Sequence, residues 1–178
     1  MRTKDHRNLG KYLLRELEVS GVQRAAFLWG SIQPDVNCLS HFSGLSVKGH
    51  HCASCTVRIE KLLRRIKEKR DSAFKYYMAG KLMHYLADSF TFTHNDFFSG
   101  SLREHVMYEH MLSRRLECVF EDSTERDMNL FPGIDIMEIL RNMHRQYVES
   151  RRSELDDIRY IVEAALTAMH ISMKSRPH

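Results

Sequence analysis

The chain of 178 residues is 43% hydrophobic and 28% charged, an ordinary balance for a folded globular protein that excludes a disordered chain. Its formal net charge of +4 at pH 7 mildly favours anionic partners and specifies no fold. Because no apolar run is long enough to span a membrane and no apolar signal core is visible, we expect one cytoplasmic domain over residues 1–178, without stable membrane insertion.

Apolar side chains recur at helical spacing along most of the chain, with no strand alternation and no internal repeat. This pattern predicts an all-α, single-domain multi-helix bundle of six or seven helices. The predicted helices cover residues 1–20, 22–30, 55–70, 72–94, 102–120, 134–152 and 153–175. Nothing in the pattern indicates a specific protein partner.

Two positions are expected to break the helices near the start of the chain. Gly21 is predicted to end the first helix. Pro34 disfavours a helical conformation of Gln33, so the chain is expected to turn there and to present Asp35 on a loop. The polar connection that follows carries three histidines: His41, His50 and His51.

One central segment, KLMHYLADSFTFTHNDFFSGSLREHVMYEH, holds two ligand pairs. His84 and Asp88 are four residues apart, as are His105 and Glu109, so on a helix each pair shares one face. Imidazole nitrogen and carboxylate oxygen suit zinc where no thiolate is supplied. The alternative is that each histidine is an ordinary core residue and that each pair is a surface ion pair. Two pairs with His94 between them favour a metal site.

The two predicted helices of this segment are joined by a short turn. Antiparallel packing would bring the two pairs opposite each other, as in metalloproteins built on helix bundles. The aromatic residues Phe92, Phe97 and Phe98 lie near the turn. They fit either the apolar rim of a substrate pocket or the protein core.

The same segment carries a recognisable signature. The sequence HYLADSFTFTH followed by HVMYE resembles the pattern of the zinc-dependent phospholipase C family, whose helical fold is shared with the S1/P1 nucleases. That family reads H-Y-L-G-D, then a His six residues after the Asp, then H-x-x-Y-E. The matching residues here are His84, Tyr85, Leu86, Asp88, His94, His105, Tyr108 and Glu109. The resemblance implies an enzyme with two or three zinc ions that hydrolyses phosphate esters.

The resemblance also implies ligand sets. One ion is expected on His94, His105 and Glu109. A second is expected on His84, Asp88, a loop histidine and Asp35.

The assignments of Asp35 and of a loop histidine to the site depend mainly on the resemblance. Asp35 corresponds to an Asp of the family that touches the metal pair, and it is expected to act as the general base. Its alternative is ordinary turn chemistry after a proline. For the loop histidine, His50 fits best by its distance from Asp35, with His51 and His41 as alternatives.

The third ion and the substrate are the least determined features. By resemblance, His6 would hold a third ion to which the carboxylate of Asp88 bridges; the alternative is an exposed histidine in a frayed first turn. The expected substrate is a phosphoester, either a phospholipid headgroup or a nucleotide-like ester. A non-catalytic helical module stapled by metal is the competing interpretation.

Overall fold

The computed structural model describes residues 1–40, 52–121, 135–151 and 153–174. This part of the chain is entirely helical and contains no strand, which confirms the predicted all-α fold. Its helices are α1 (Thr3–Leu13), α2 (Gly21–Ser40), α3 (Cys52–Glu68), α4 (Ala73–Ser89), α5 (Leu102–Glu121), α6 (Ile136–Ser150) and α7 (Glu154–Lys174). Two short 3-10 turns, Leu14–Glu16 and Phe92–His94, complete the described structure.

Helix α4 is the central element of the fold. It packs against α1, α2, α3 and α7. From Lys75 to Ser89 every residue is buried except Tyr77 and Lys81, which are partly buried. A helix surrounded on most sides can be apolar around most of its circumference, as α4 is. The polar side chains of its last turns therefore lie inside the protein.

A close approach of two backbones joins α2 to α4. A Cβ atom on Gly80 would lie 2.0 Å from the carbonyl oxygen of Phe27, and one on Gly30 would lie 2.1 Å from that of Tyr77. Glycine has no Cβ, so it permits this spacing where any other residue would push the helices apart. The two glycines thus set the distance between the helices that carry Asp35 and His84.

Replacing Gly80 with alanine should destabilise the fold. The added methyl group meets backbone atoms of α2, which cannot rotate away as a side chain could, and overpacking of this kind costs about 1–3 kcal/mol. We expect a loss at the upper end of that range in the free energy of unfolding, measured by urea denaturation. Gly21→Ala is the matched control, because its Cβ has no neighbour within 4 Å and its effect should stay below about 1 kcal/mol. Equal stability of the two variants would contradict the prediction.

The predicted end of the first helix is wrong. Helix α1 ends at Leu13, and Gly21 begins α2 instead of stopping α1. The reason is a capping box: the backbone N–H of Gln23 donates to Ser20 Oγ, and the N–H of Ser20 donates to Gln23 Oε1, at 3.3 and 2.9 Å. Reciprocal bonds of this type mark a helix start.

The predicted loop at Pro34 is also wrong. Helix α2 continues through Pro34 to Ser40, so Asp35 lies on a helix. An interior proline costs a helix about 3 kcal/mol. Pro34 is buried, and α2 makes its most extensive contacts with α4. The packing of α2 therefore outweighs the local preference for a turn.

Helix α4 is shorter than the predicted ligand helix. It ends at Ser89, and His94 lies on the separate turn Phe92–His94. The side-chain amide of Asn95 donates to the carbonyl oxygens of Ser89 and Thr91, at 3.1 and 2.8 Å. Because these bonds satisfy carbonyls that a longer helix would have used, they stabilise the chain reversal after α4.

Candidate metal centre

The first group of polar residues lies in the interior where α1 meets α4. His6, His84 and Asp88 are each no more than 1% exposed. His6 Nε2 lies 3.2 Å from Asp88 Oδ1, and His84 Nε2 lies 3.3 Å from Asp88 Oδ2. The two imidazole rings stack with their centroids 3.8 Å apart. His6 is therefore not an exposed residue of a frayed turn.

The second group lies at the edge of the first and is partly exposed. His94 Nε2 and His105 Nε2 approach the same oxygen, Glu109 Oε1, at 3.1 and 3.3 Å. Helix α5 supplies His105 and Glu109 one turn apart, as their spacing predicted. Glu109 keeps 16% of its side chain exposed, so this group borders the solvent.

Asp88 connects the two groups. Its Oδ2 faces His84, whereas its Oδ1 faces His6 and lies 3.6 Å from Nδ1 of His94. The amino group of Met1 lies at the same point, 3.0 Å from Asp88 Oδ1 and 3.1 Å from Glu109 Oε1. A positive group thus occupies the place where the two carboxylates converge.

The orientation of His84 is set by the backbone of α2. Its Nδ1 lies 3.0 Å from the carbonyl oxygen of Ser31, to which it donates, and Nε2 is thereby directed toward the two carboxylates Asp88 and Asp35. The distance from His84 Nε2 to Asp35 Oδ1 is 3.6 Å. A carbonyl partner on the second ring nitrogen is the usual way in which a ligand histidine is oriented.

Burial and charge shift the pKa values in both groups. The pKa of His6 is lowered to about 4, mainly by burial and secondly by the neighbouring His84. Burial opposes the charged form of Asp88 too, but the amino group of Met1 and three histidines hold the pKa of that carboxyl well below its usual value. Burial likewise opposes charge on Glu109, yet hydrogen bonds from His105 and His94 lower the pKa of Glu109. Neutral imidazole and ionised carboxylate are the forms that bind metals.

The separations between donor atoms match those of a zinc site. Two atoms bound to one zinc ion at about 2.0–2.1 Å in tetrahedral geometry lie about 3.3 Å apart. The four imidazole-to-carboxylate distances within the groups are 3.1–3.3 Å. Both ring nitrogens of His6 and Nδ1 of His94 are also buried without a hydrogen-bond partner among the described residues. Buried polar atoms normally have partners, so these atoms fit a cation.

The structure brings six of the residues expected from the sequence into two groups that could hold metal ions: His6, His84 and Asp88, and His94, His105 and Glu109. Asp35 lies beside the first group. His50, the preferred loop histidine, and its alternatives His41 and His51 lie outside the described residues. The expected direct packing of the two ligand helices is wrong, since α5 packs mainly on α1, α7 and the Phe92–His94 turn.

Sequence reasoning missed a buried carboxylate near the second group. Asp157 on α7 is 0% exposed and accepts hydrogen bonds from Tyr108 and Arg151. Its one signal in the sequence is its position four residues before Ile161, on the apolar face of α7. A carboxylate in such a stripe must find partners inside the protein.

The fold and the two groups define the class of protein. Several helices deliver imidazoles and carboxylates to one polar centre, which is the architecture of metal-binding helical bundles. The sequence model of one family, described as zinc dependent phospholipase C, matches residues 5–157. The chain therefore belongs to the zinc-dependent phospholipase C family, as its motifs predicted. No curated protein and no solved structure matches it significantly.

Membership of this family supports zinc as the metal of the two groups. Among the described residues, none of the helices combines the length and the apolar character that crossing a bilayer requires.

Zinc binding should strengthen as the pH rises. Burial disfavours the charged form of His84. The charge of Asp88 and the hydrogen bond between His84 and Asp88 outweigh burial, so the pKa of His84 is raised above its usual value. Because zinc binds the neutral imidazole, it must displace the proton of His84, so binding releases protons and weakens in acid. Calorimetry in buffers of different ionisation enthalpy measures this release. An affinity that stays constant between about pH 6 and about pH 8 would contradict the prediction.

Proposed function

We propose that this protein is a zinc-dependent phosphoesterase that hydrolyses phosphodiesters, with a phospholipid headgroup as the preferred substrate. The observation that carries the proposal is the meeting of two His/carboxylate groups at Asp88, in a member of the zinc-dependent phospholipase C family. Two neighbouring sets of donors, joined by one carboxylate, are what a two-metal hydrolytic site needs.

Each donor is assigned to an ion. His94, His105 and Glu109 would hold one zinc ion, while His84, Asp88, Asp35 and His50 would hold another. His6 and the Asp88 oxygen that faces it, Oδ1, would be the donors for a third. When bound, zinc ions polarise phosphoryl oxygens and lower the pKa of water.

Asp35 is the residue that we assign as the general base. Its carboxylate lies beside the first group, with Oδ1 3.6 Å from His84 Nε2 and 20% of the side chain exposed. Its Oδ2 is buried and has no hydrogen-bond partner among the described residues. That oxygen is therefore available to accept a proton from the water that attacks the phosphorus.

Aromatic residues beside the second group support a substrate with an apolar part. The ring of Phe98 lies edge-on to His105 with centroids 6.0 Å apart. Phe97 is 42% exposed and contacts Phe92. An apolar rim next to polar donors is the usual composition of a small-molecule site. It would cover the glycerol and acyl region of a lipid whose phosphate lies at the metal ions.

The test is a comparison of substrates with zinc-loaded protein. Phosphatidylcholine vesicles, single-stranded nucleic acid and p-nitrophenyl phosphate esters are assayed in parallel, with the chelated protein as the blank. We expect cleavage of phosphatidylcholine to phosphocholine and diacylglycerol. Cleavage of nucleic acid alone would replace the lipase function with a nuclease function, and cleavage of phosphomonoesters alone would indicate a phosphatase.

A metal-stapled, non-catalytic module predicts a different result. Its zinc would be retained, but no ester in the panel would be cleaved and the chelated protein would lose stability. Ligand binding to the folded state raises its stability by about 2.7 kcal/mol at a concentration one hundred times the Kd. Stabilisation by zinc without hydrolysis would therefore favour the module over the enzyme.

A further inference from the structure

Asp157 of α7 is the centre of a buried network that the proposed mechanism does not use. Each of its carboxylate oxygens accepts two hydrogen bonds. Oδ1 accepts from Arg151 Nε at 2.8 Å and from the hydroxyl of Tyr147 at 3.0 Å. Oδ2 accepts from the hydroxyl of Tyr108 at 2.5 Å and from the backbone N–H of Phe92 at 2.7 Å. The charge of Arg151 neutralises the carboxylate.

The two donors on Oδ2 belong to the segments that carry the second group. Phe92 begins the turn that ends at His94, and Tyr108 directly precedes Glu109 on α5. Arg151 strengthens the same connection, since it donates to the hydroxyl of Tyr108 at 2.9 Å and lies 3.8 Å above the ring of Phe92. A single carboxylate oxygen therefore ties the turn to α5.

The contact with Asp157 fixes the start of this turn, whereas the side-chain bonds of Asn95 fix its end. The turn spans three residues, and the residue before it, Thr91, makes no side-chain capping bond. The N–H of Phe92 is the first of the unpaired donors at its start, and Asp157 satisfies it. Without that bond, the position of His94 would be set by fewer contacts.

We propose that Asp157 is a positioning residue for the ion bound by His94, His105 and Glu109, an inference that rests on the proposed function. Asp157 and Arg151 act through the backbone of Phe92 and the hydroxyl of Tyr108. They hold His94 Nε2 and Glu109 Oε1 3.1 Å apart, close to the separation of about 3.3 Å between two donors on one zinc ion. Such supporting contacts typically contribute about 10–100-fold to metal affinity.

The network supplies its own matched control. Tyr147 donates to the same carboxylate as Tyr108, but it lies on α6, which carries none of the six grouped residues. Tyr108→Phe and Tyr147→Phe each remove one hydroxyl from Asp157. A purely structural role of the network predicts that metal affinity follows stability in both variants. A positioning role predicts that only Tyr108→Phe weakens zinc binding beyond its effect on stability.

The experiment measures zinc affinity in a His84→Ala background, which leaves the second group intact, by competition with a chromophoric chelator. We expect about a 10-fold loss of affinity in Tyr108→Phe, up to about 100-fold in Asp157→Asn, and less than about 2-fold in Tyr147→Phe. The visible spectrum of bound cobalt should change in the first two variants only. Thermal denaturation of each variant without metal gives the stability comparison.

Equal losses in the two Tyr→Phe variants, or losses proportional to their fall in Tm, would overturn the positioning role. Tyr108→Phe keeps the test decisive where Asp157→Asn fails to fold. Selective loss of zinc in a protein that cleaves no phosphoester would support the positioning role and reject the proposed function. Absence of zinc binding in the His84→Ala background would overturn both.

Discussion

Asp88→Asn is expected to abolish phosphodiester hydrolysis and to remove zinc from both groups. The carboxylate is buried, and its two oxygens face donors of different groups. An amide has one acceptor oxygen and no charge, so it cannot serve both groups. We expect a fall in kcat/KM of at least about 10³-fold, equivalent to roughly 4 kcal/mol of transition-state stabilisation. Steady-state assays and metal analysis of the dialysed protein measure the two effects.

Asp71→Asn is the control for this substitution. Asp71 is exposed and accepts a hydrogen bond at 3.2 Å from the side-chain amide of Gln23, a residue that belongs to neither group. It should retain the zinc content and the activity of the unsubstituted protein. An Asp88→Asn protein that keeps all of its zinc would show that Asp88 does not link the groups, and full activity would remove it from the mechanism.

Glu109→Gln should remove one ion and leave the other group occupied. Both His94 and His105 approach Oε1 of Glu109, and no described residue of α5 offers a second carboxylate to them. Losing one ion of a two-metal site removes part of the charge stabilisation of the phosphoryl group. We expect a loss of about 10²–10³-fold in kcat with a smaller change in stability, measured together with zinc content.

Glu104→Gln provides the comparison on the same helix. Glu104 is exposed and accepts hydrogen bonds from the N–H and the hydroxyl of Ser101, which cap the start of α5. Glutamine can take the same place in a capping box, so the helix should be preserved. We expect normal zinc content in this variant. If Glu109→Gln behaved in the same way, the second group would not be a metal site.

The ligand pairs of the central segment were predictable because they depend on local geometry. A separation of four residues puts two side chains on one face of any α-helix, whatever surrounds it. His84 with Asp88 and His105 with Glu109 are therefore close in the structure as well. The all-α fold was predictable for a related reason, since the apolar period of a helix is written in the order of residues.

The ends of the helices were less predictable, because two opposing signals were present at each of them. Ser20 and Gln23 form a capping box that outweighs the helix-ending tendency of Gly21. At Pro34 the local preference for a turn yields to burial against α4. Tertiary packing contributes more to helix stability than propensity does, so rules about single residues fail where buried surface is large.

The sequence by itself determined which residues pair within a helix, the helical class of the fold and the family. Only the tertiary structure decided that His6 is buried against Asp88, that Asp35 reaches the centre from a helix, and that Asp157 ties two ligand segments together. The physical reason is the distance along the chain between the residues that interact. Spacing along a helix is set by bonds between near neighbours, whereas these contacts join distant parts of the chain. They exist because glycines let α2 and α4 approach and because buried carboxylates require partners wherever the fold provides them.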